Sequence, residues 1–291
     1  MTGHKIEDII RMRYSCRSYR ETPLSTNDRL NLSEFVSQKN KGPFGSSARF
    51  TLFAAESSDS TELKGLGTYG FIRKPAAFVA GVVNESQMNP EDFGYSMERI
   101  ILHATELGLG SCWLGGSFKR SGFALKAKIT ADEIIPAVAS IGYITEKKTV
   151  TDMVLDGVLS NSARSRKRKG ADELFFGSSI NKLNINFNEG YGRALEMIRL
   201  APSAMNIQPW RVVKEDEKNI FHFFLERSAS YTRVIKLLRY EDLQRIDMGI
   251  AMCHFEFTAI ESGLKGMWIN ASPVALKAPV GWEYSITWDG E

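Results

Sequence analysis

The 291 residues contain three cysteines, Cys16, Cys112 and Cys253, odd in number, widely spaced and without a C-x-x-C pair. That excludes a disulfide framework and a thiolate zinc site, and it predicts reduced thiols. Histidine is almost as scarce. His4, His103, His222 and His254 form no H-E-x-x-H and neighbour no cysteine pair, which removes most metal hydrolases. No G-x-S-x-G elbow marks a Ser-His-Asp enzyme. No run approaches the roughly 18 apolar residues of a membrane span, and the opening MTGHKIEDII is acidic where a secretory signal needs its apolar stretch. The net charge is only +3, too small for a dedicated phosphate-backbone binder. A soluble cytoplasmic protein is expected, whose partner is a small molecule rather than nucleic acid or a membrane.

What is present is an ordinary globular composition, 43% hydrophobic and 24% charged, enough for one large or two smaller domains. Residues 93–114, FGYSMERIILHATELGLGSCWL, align with residues 248–269, MGIAMCHFEFTAIESGLKGMWI, at a shift of 155. Gly94 falls on Gly249, Met97 on Met252, Ala104 on Ala259, Glu106 on Glu261, Gly108 on Gly263, Leu109 on Leu264 and Trp113 on Trp268. This many identities at one register predict an internal duplication. Phe93, Met97, Ile101 and Ala104 have helical spacing, each run ends at a glycine suited to a C-cap, and an apolar, strand-like stretch follows. Further helices are predicted over 4–12, 22–38 and 191–200. Strands are predicted over 48–56, 75–83, 135–144, 210–215, 219–226 and 283–288. The alternation argues for an α+β fold, with an arm over 160–176 and a linker over 178–190.

The halves carry different chemistry. In RMRYSCRSYR, residues Arg13, Ser15 and Arg17 alternate, so an extended segment turns all three the same way. That suits a three-point site for a terminal phosphate or, equally, a solvated basic helix end. Arg166 and Arg168 in RSRKRK are a second alternating pair, readable also as a surface charge run or a nucleic-acid patch. GLGTYG, residues 65–70, fits G-x-G-x-x-G but has STELK before it and Pro75 soon after, so it is read as a turn-rich loop and not a dinucleotide fingerprint. LGLGSCWLGGSF places glycines at 108, 110, 115 and 116, where backbone can approach a flat ligand or a bulged strand can begin. APSAMNIQPWR, residues 201–211, is either a plain helix-to-strand loop or a binding loop rich in amides and hydroxyls; its first-half counterpart, KNKGPFGSSAR, lacks that pattern.

Together, R-x-S-x-R, A-P-S-x-x-N-x-Q-P-W, A-T-E-L-G-L-G-S-C-W and the basic arm before D-E-L-F-F resemble the FMN-dependent nitroreductases, and they do so over most of the chain. Ordinary members carry all four in one copy and pair as dimers with flavin sites shared across the interface. Here the A-P-S block falls in the second half, which is similar to a smaller subgroup of single-chain members that imitate the dimer. The resemblance implies two nitroreductase-like halves, 1–176 and 177–291, in a chain that is a monomer acting as a pseudo-dimer. It implies one FMN per chain, with Arg13, Ser15, Arg17, Arg166 and Arg168 at the phosphate and ribityl chain. Pro202, Ser203 and Asn206 would then reach the ring and ribityl group, Gln208 and Trp210 would fix that loop, and Gly115 and Gly116 would lie near flavin N5 and O4. The second flavin site, at KNKGPFGSS, is expected to be dead. NAD(P)H would be the donor and a nitroaromatic, quinone or similar small molecule the electron acceptor, in ping-pong order, with no catalytic side chain demanded. An FMN-binding carrier or sensor without useful turnover stays open. A nucleic-acid module is disfavoured by the absence of stacking aromatics near the basic clusters.

Overall fold

Ile6–Met12 form helix α1, with Ile9 and Ile10 buried. The next helix, α2 (Thr26–Ser37), starts later than its sequence window because Ser25 caps it, accepting from the Asp28 N–H at 3.1 Å. A computed structural model describes residues 3–38, 41–56, 61–85, 89–145, 168–227, 241–273 and 276–291. Within it follow β1 (Arg49–Ala54), β2 (Ala77–Asn84), the long α3 (Pro90–Glu106), β3 (Gly110–Leu114), α4 (Arg120–Ala127), β4 (Glu133–Ile134) and β5 (Val138–Gly142). The second part comprises α5 (Ala171–Leu174), β6 (Phe175–Gly177), α6 (Gly190–Leu200), β7 (Trp210–Lys214), β8 (Ile220–Glu226), the long α7 (Leu243–Glu261), β9 (Gly266–Ile269) and β10 (Trp282–Gly290). None of the described helices is long and apolar enough to cross a membrane.

Two sheets result. The first runs β1-β2-β5-β3, with β4 also on β2, and all of its pairs are antiparallel. The second runs β6-β7-β8-β10-β9. Apart from β4 and β6, the strands follow one order in both sheets: first, second, last, third. Helices occupy matching places too, α2 before β1 as α6 before β7, and α3 after β2 as α7 after β8. Both long helices end at the glycines that the two aligned blocks share, Gly108 (φ +77°) and Gly263 (φ +74°), a left-handed conformation that costs glycine no Cβ clash.

The long helices α3 and α7 pack directly against each other. A Cβ on Gly94 would overlap the Ile246 carbonyl oxygen, and one on Gly249 would overlap the Glu91 carbonyl oxygen. These two contacts are related by the same shift, since 94 + 155 = 249 and 246 − 155 = 91, so the helices meet as an isologous pair does in a two-fold dimer. The seam is shared core, not a linker. One cluster packs Ile9, Ile10, Tyr95 and Leu102 with Phe221, Phe255 and Trp288, and another packs Ile246 among Phe93, Met97 and Ile101. Each fully buried aromatic or aliphatic side chain there contributes about 1.5–3 kcal/mol from water exclusion.

One feature differs from the sequence reading. Within the described part of the arm, Phe175–Gly177 is a strand lying parallel on β7 at the edge of the second sheet. A boundary after residue 176 therefore falls inside β6.

Candidate functional site

A cavity of about 250 Å³ opens along the seam between the two parts. One wall is the segment after α1 together with the end of β3: Ser15, Arg17, Cys112, Trp113, Leu114, Gly115, Gly116 and Ser117, with Phe71 and Ala137. The other is the loop Pro202, Ser203, Ala204, Met205 and Asn206, with Leu243, Ile246, Asp247 and Ile250 of α7. Segments separated by almost 200 residues thus share one concave surface.

The first wall is built on backbone pairing. Ser15 bridges Ser111 in parallel, and the Cys16 N–H donates to the Ser111 carbonyl at 2.8 Å, so the 15–17 segment rides alongside β3. Arg73 N donates to the Arg17 carbonyl at 2.8 Å and Tyr19 N to the Arg73 carbonyl at 3.1 Å, stitching the 68–73 loop to the same segment. This is how Phe71 reaches the cavity from the stretch read as a turn-rich loop. Gly115 is also a close-approach residue, because a Cβ there would come within 2.5 Å of Leu243 on the opposite wall.

Arg13 does not share the wall with Ser15 and Arg17. Its backbone N–H bonds the Ile9 carbonyl as the helix cap while its own ψ of 127° is already extended, and at this junction its side chain turns to the buried Glu98. The guanidinium is buried, with Nε 3.9 Å from Glu98 Oε1. Burial pulls Arg13 below its ordinary value, opposed by the charges of Glu98 and then Cys112. Glu98 is itself wholly buried, accepting from Trp113 Nε1 at 2.7 Å and facing His254 Nε2 at 2.9 Å. This cluster joins α3, α7 and the cavity wall behind Trp113.

The second wall explains why its loop is rich in amides. Met205 (φ +52°), Asn206 (φ +57°) and Gln208 (φ +52°) all sit in the left-handed region, each at a cost of about 1–3 kcal/mol that the surrounding contacts must offset. Side chains hold it in place. Ser203 Oγ accepts from the Gln208 N–H at 2.9 Å, Gln208 Nε2 donates to the Asn206 carbonyl at 3.1 Å, and Gln208 Oε1 accepts from Lys169 N at 2.9 Å. Gln208 is therefore buried behind the wall and braces it, and Trp210 follows, fully buried, at the start of β7. Arg168 is behind the wall as well: its guanidinium donates to the Leu200 carbonyl at 2.9 Å, the Ala201 carbonyl at 2.7 Å and Asn206 Oδ1 at 3.1 Å. In this arrangement Arg168 caps the end of α6, where the last carbonyls have no helical partner. Arg166 lies outside the described residues.

Lysine at 168 keeps the charge but cannot span three acceptors. Arg168→Lys is expected to lower stability by about 1 kcal/mol, read as a shift in the urea midpoint. An unchanged midpoint would show that the fork does not brace the loop.

Asp247 escaped the sequence reading altogether. It lies one residue ahead of the aligned block, on Asp92 by the same shift, 247 − 155 = 92. Asp92 ties down the loop before β1 and Asp247 the loop before β7. Asp92 accepts from Phe44 N and Ser46 N at 2.7 Å each, and Asp247 accepts from Ala204 N at 3.0 Å. Extending the alignment by a single residue exposes the identity.

Residues 5–259 match the family model described as "Putative TM nitroreductase". Among solved structures, a "putative nitroreductase" from Thermotoga maritima is 16% identical with TM-score 0.59, the match covering 98% of this chain and 93% of that one. This likeness is one of fold. An oxidoreductase containing FMN matches at 16% identity and TM-score 0.47 over 59% of this chain and 91% of its own. An FMN-dependent nitroreductase from Clostridium difficile matches at 18% identity and TM-score 0.39 over 53% of this chain and 98% of its own. No curated protein matches the sequence. With the α+β fold and the family model extending over most of its length, the chain belongs to this nitroreductase family.

Proposed function

We propose that the protein is an FMN-dependent NAD(P)H oxidoreductase that reduces nitroaromatic, quinone or similar electron-poor acceptors, using one composite flavin site per chain. The observation that carries this reading is the convergence of Ser15, Arg17, Gly115 and Gly116 with Pro202, Ser203 and Asn206 on facing walls of one cavity. The donor set suits FMN. A guanidinium and a hydroxyl are offered to the anionic end, and Trp113, Leu114, Ile246 and Ile250 supply apolar surface for a flat ring.

Bound FMN would supply hydride and electron transfer between the nicotinamide and the acceptor. The protein's part is to bind, orient and exclude water. Arg17 and Ser15 hold the phosphate-bearing chain. The 115–116 backbone presents its amides without β-carbons in the way, and Arg120 Nη2, 3.4 Å from the Gly115 carbonyl, helps fix that turn. Asn206, immobilised by Arg168, offers its amide from the opposite wall, while Phe71 and the exposed Met205 flank the cavity where an acceptor enters. The two halves of one polypeptide act as the two protomers of a dimer, without needing a second chain. The first-half loop is tied to α3 in the same way, by Asp92 through Phe44 N and Ser46 N, but it lacks the Ser-Asn-Gln pattern, and no second flavin site is expected there.

Titration of the purified protein with FMN is expected to saturate at one per chain and produce a yellow complex. With that complex, NADPH oxidation at several quinone concentrations is expected to give parallel double-reciprocal lines. Saturation at two per chain would reject the composite site, and intersecting lines would reject the single shared face. A yellow protein that does not oxidise NADPH would be a flavin carrier instead.

A further inference from the structure

Asp247 is a carboxylic acid between Ile246 and Ile250 on the cavity wall. It is 3% exposed, and both of its oxygens converge on a single donor, the Ala204 N–H, at 3.0 and 3.1 Å. An ionised carboxylate offers about four lone-pair sites, and one N–H serves one of them. Among the described residues no cation forms an ion pair with it. The charged group that acts on it is Asp242, of the same sign, at the start of its own helix. From the facing wall the cavity receives Arg17 and Cys112 as its other ionisable groups.

The repeat supplies a built-in comparison. Asp92, at the equivalent place, has two N–H donors, one for each oxygen, while Asp247 has one donor for both. Asp247, unlike Asp92, lines the cavity. Burying an ionised carboxylate with so little compensation is costlier than protonating it. Burial accordingly pushes the Asp247 carboxyl well above the usual carboxylate range, with the Ala204 N–H opposing and Asp242 adding to the rise.

We propose that Asp247 works as a neutral acid in the cavity wall, one oxygen accepting from the Ala204 N–H and its O–H donating to an acceptor atom of the bound ligand. In the flavin reading, on which this ligand assignment rests, the acceptors are the carbonyl oxygens and the unprotonated ring nitrogens N1 and N5 of the isoalloxazine, as distinct from the N3–H, which donates. A carboxylate at that position would set lone pairs against lone pairs. The neutral acid instead adds a donor on the wall contributed by the second half, and it ties ligand binding to the loop that carries Ser203 and Asn206.

The test uses the full chain as wild type, Asp247→Asn and Asp247→Leu, with infrared difference spectroscopy and FMN titration. The wild type minus Asp247→Asn difference is expected to contain the C=O stretch of a protonated carboxylic acid, and addition of FMN is expected to move that band to lower frequency. Asp247→Asn, a neutral isostere with an acceptor and a donor, is expected to hold FMN within about threefold of wild type. Asp247→Leu, similar in size but without either, is expected to bind about tenfold more weakly. Absence of the acid band overturns the proposal, as does a band that FMN leaves unmoved while binding, or equal affinity of the two variants. Should Asp247→Leu fail to fold, the band and its response to FMN decide. Failure of wild type to take up FMN overturns the flavin reading separately, and the band in the ligand-free protein still shows whether Asp247 is a neutral acid.

Discussion

Gly249→Ala is expected to destabilise the protein by about 3 kcal/mol or more, a loss readable in thermal or urea unfolding. The sign is the informative part, because alanine in place of glycine within an exposed helix stabilises by up to about 1 kcal/mol. Here the new methyl group would overlap the Glu91 carbonyl oxygen and come within 2.7 Å of Tyr95 N, backbone atoms that no rotamer change can move. The helices cannot slide apart cheaply either. Arg245 grips the Glu91 carboxylate with Nε and Nη2 at 2.8 and 2.7 Å beside the crossing, and Phe93, Met97 and Ile246 fill the space around it. Gly94→Ala should behave alike, since its Cβ would overlap the Ile246 carbonyl oxygen. The double variant should then cost less than the sum, because the first substitution already separates the helices that the second would push. Stabilisation by Gly249→Ala would show that the close crossing is absent.

Both glycines were legible before any fold was known. The repeat places them at one register, and the apolar spacing of Phe93, Met97, Ile101 and Ala104 marks the helix that carries the first. The strands β1, β2, β5, β7 and β8 were legible for a similar reason, as short β-branched and aromatic runs between turn residues. The cavity was legible in segments rather than atom by atom: Ser15, Arg17, Gly115, Gly116, Pro202, Ser203 and Asn206 lie on its walls.

What stayed hidden depends on distant pairing or on where a local period changes. Arg13 is the junction between α1 and the extended segment that carries Ser15, capped on the Ile9 carbonyl and turned to Glu98, and composition does not reveal where that junction falls. Phe71 reaches the cavity because Arg73 pairs with Arg17, a contact no local pattern announces. β6 pairs in parallel with a strand more than thirty residues later. Arg168 is basic like any phosphate ligand, and only the carbonyls left open at the end of α6 turn it into a brace.

Arg17→Ala is expected to weaken FMN roughly tenfold to a hundredfold or more, and riboflavin much less. Four arginines were candidates for the phosphate, and the structure sorts the three that it describes. Arg13 faces the buried Glu98, Arg168 is turned to the carbonyls of Leu200 and Ala201, and Arg17 stands on the cavity wall beside Ser15. A charge-assisted hydrogen bond to a phosphate is worth about 1.5–3 kcal/mol when its partner is held in place, and Arg17 is held by the pairing of its carbonyl with Arg73 N. Riboflavin shares the ring and ribityl chain with FMN and lacks only the phosphate, so the ratio of the two losses isolates the group the guanidinium reads. Isothermal titration of both ligands into wild type and variant gives that ratio directly. Equal losses would move Arg17 from the phosphate to the ring, where a cation near the pyrimidine edge would favour added electron density and the variant would lower the flavin's reduction potential instead.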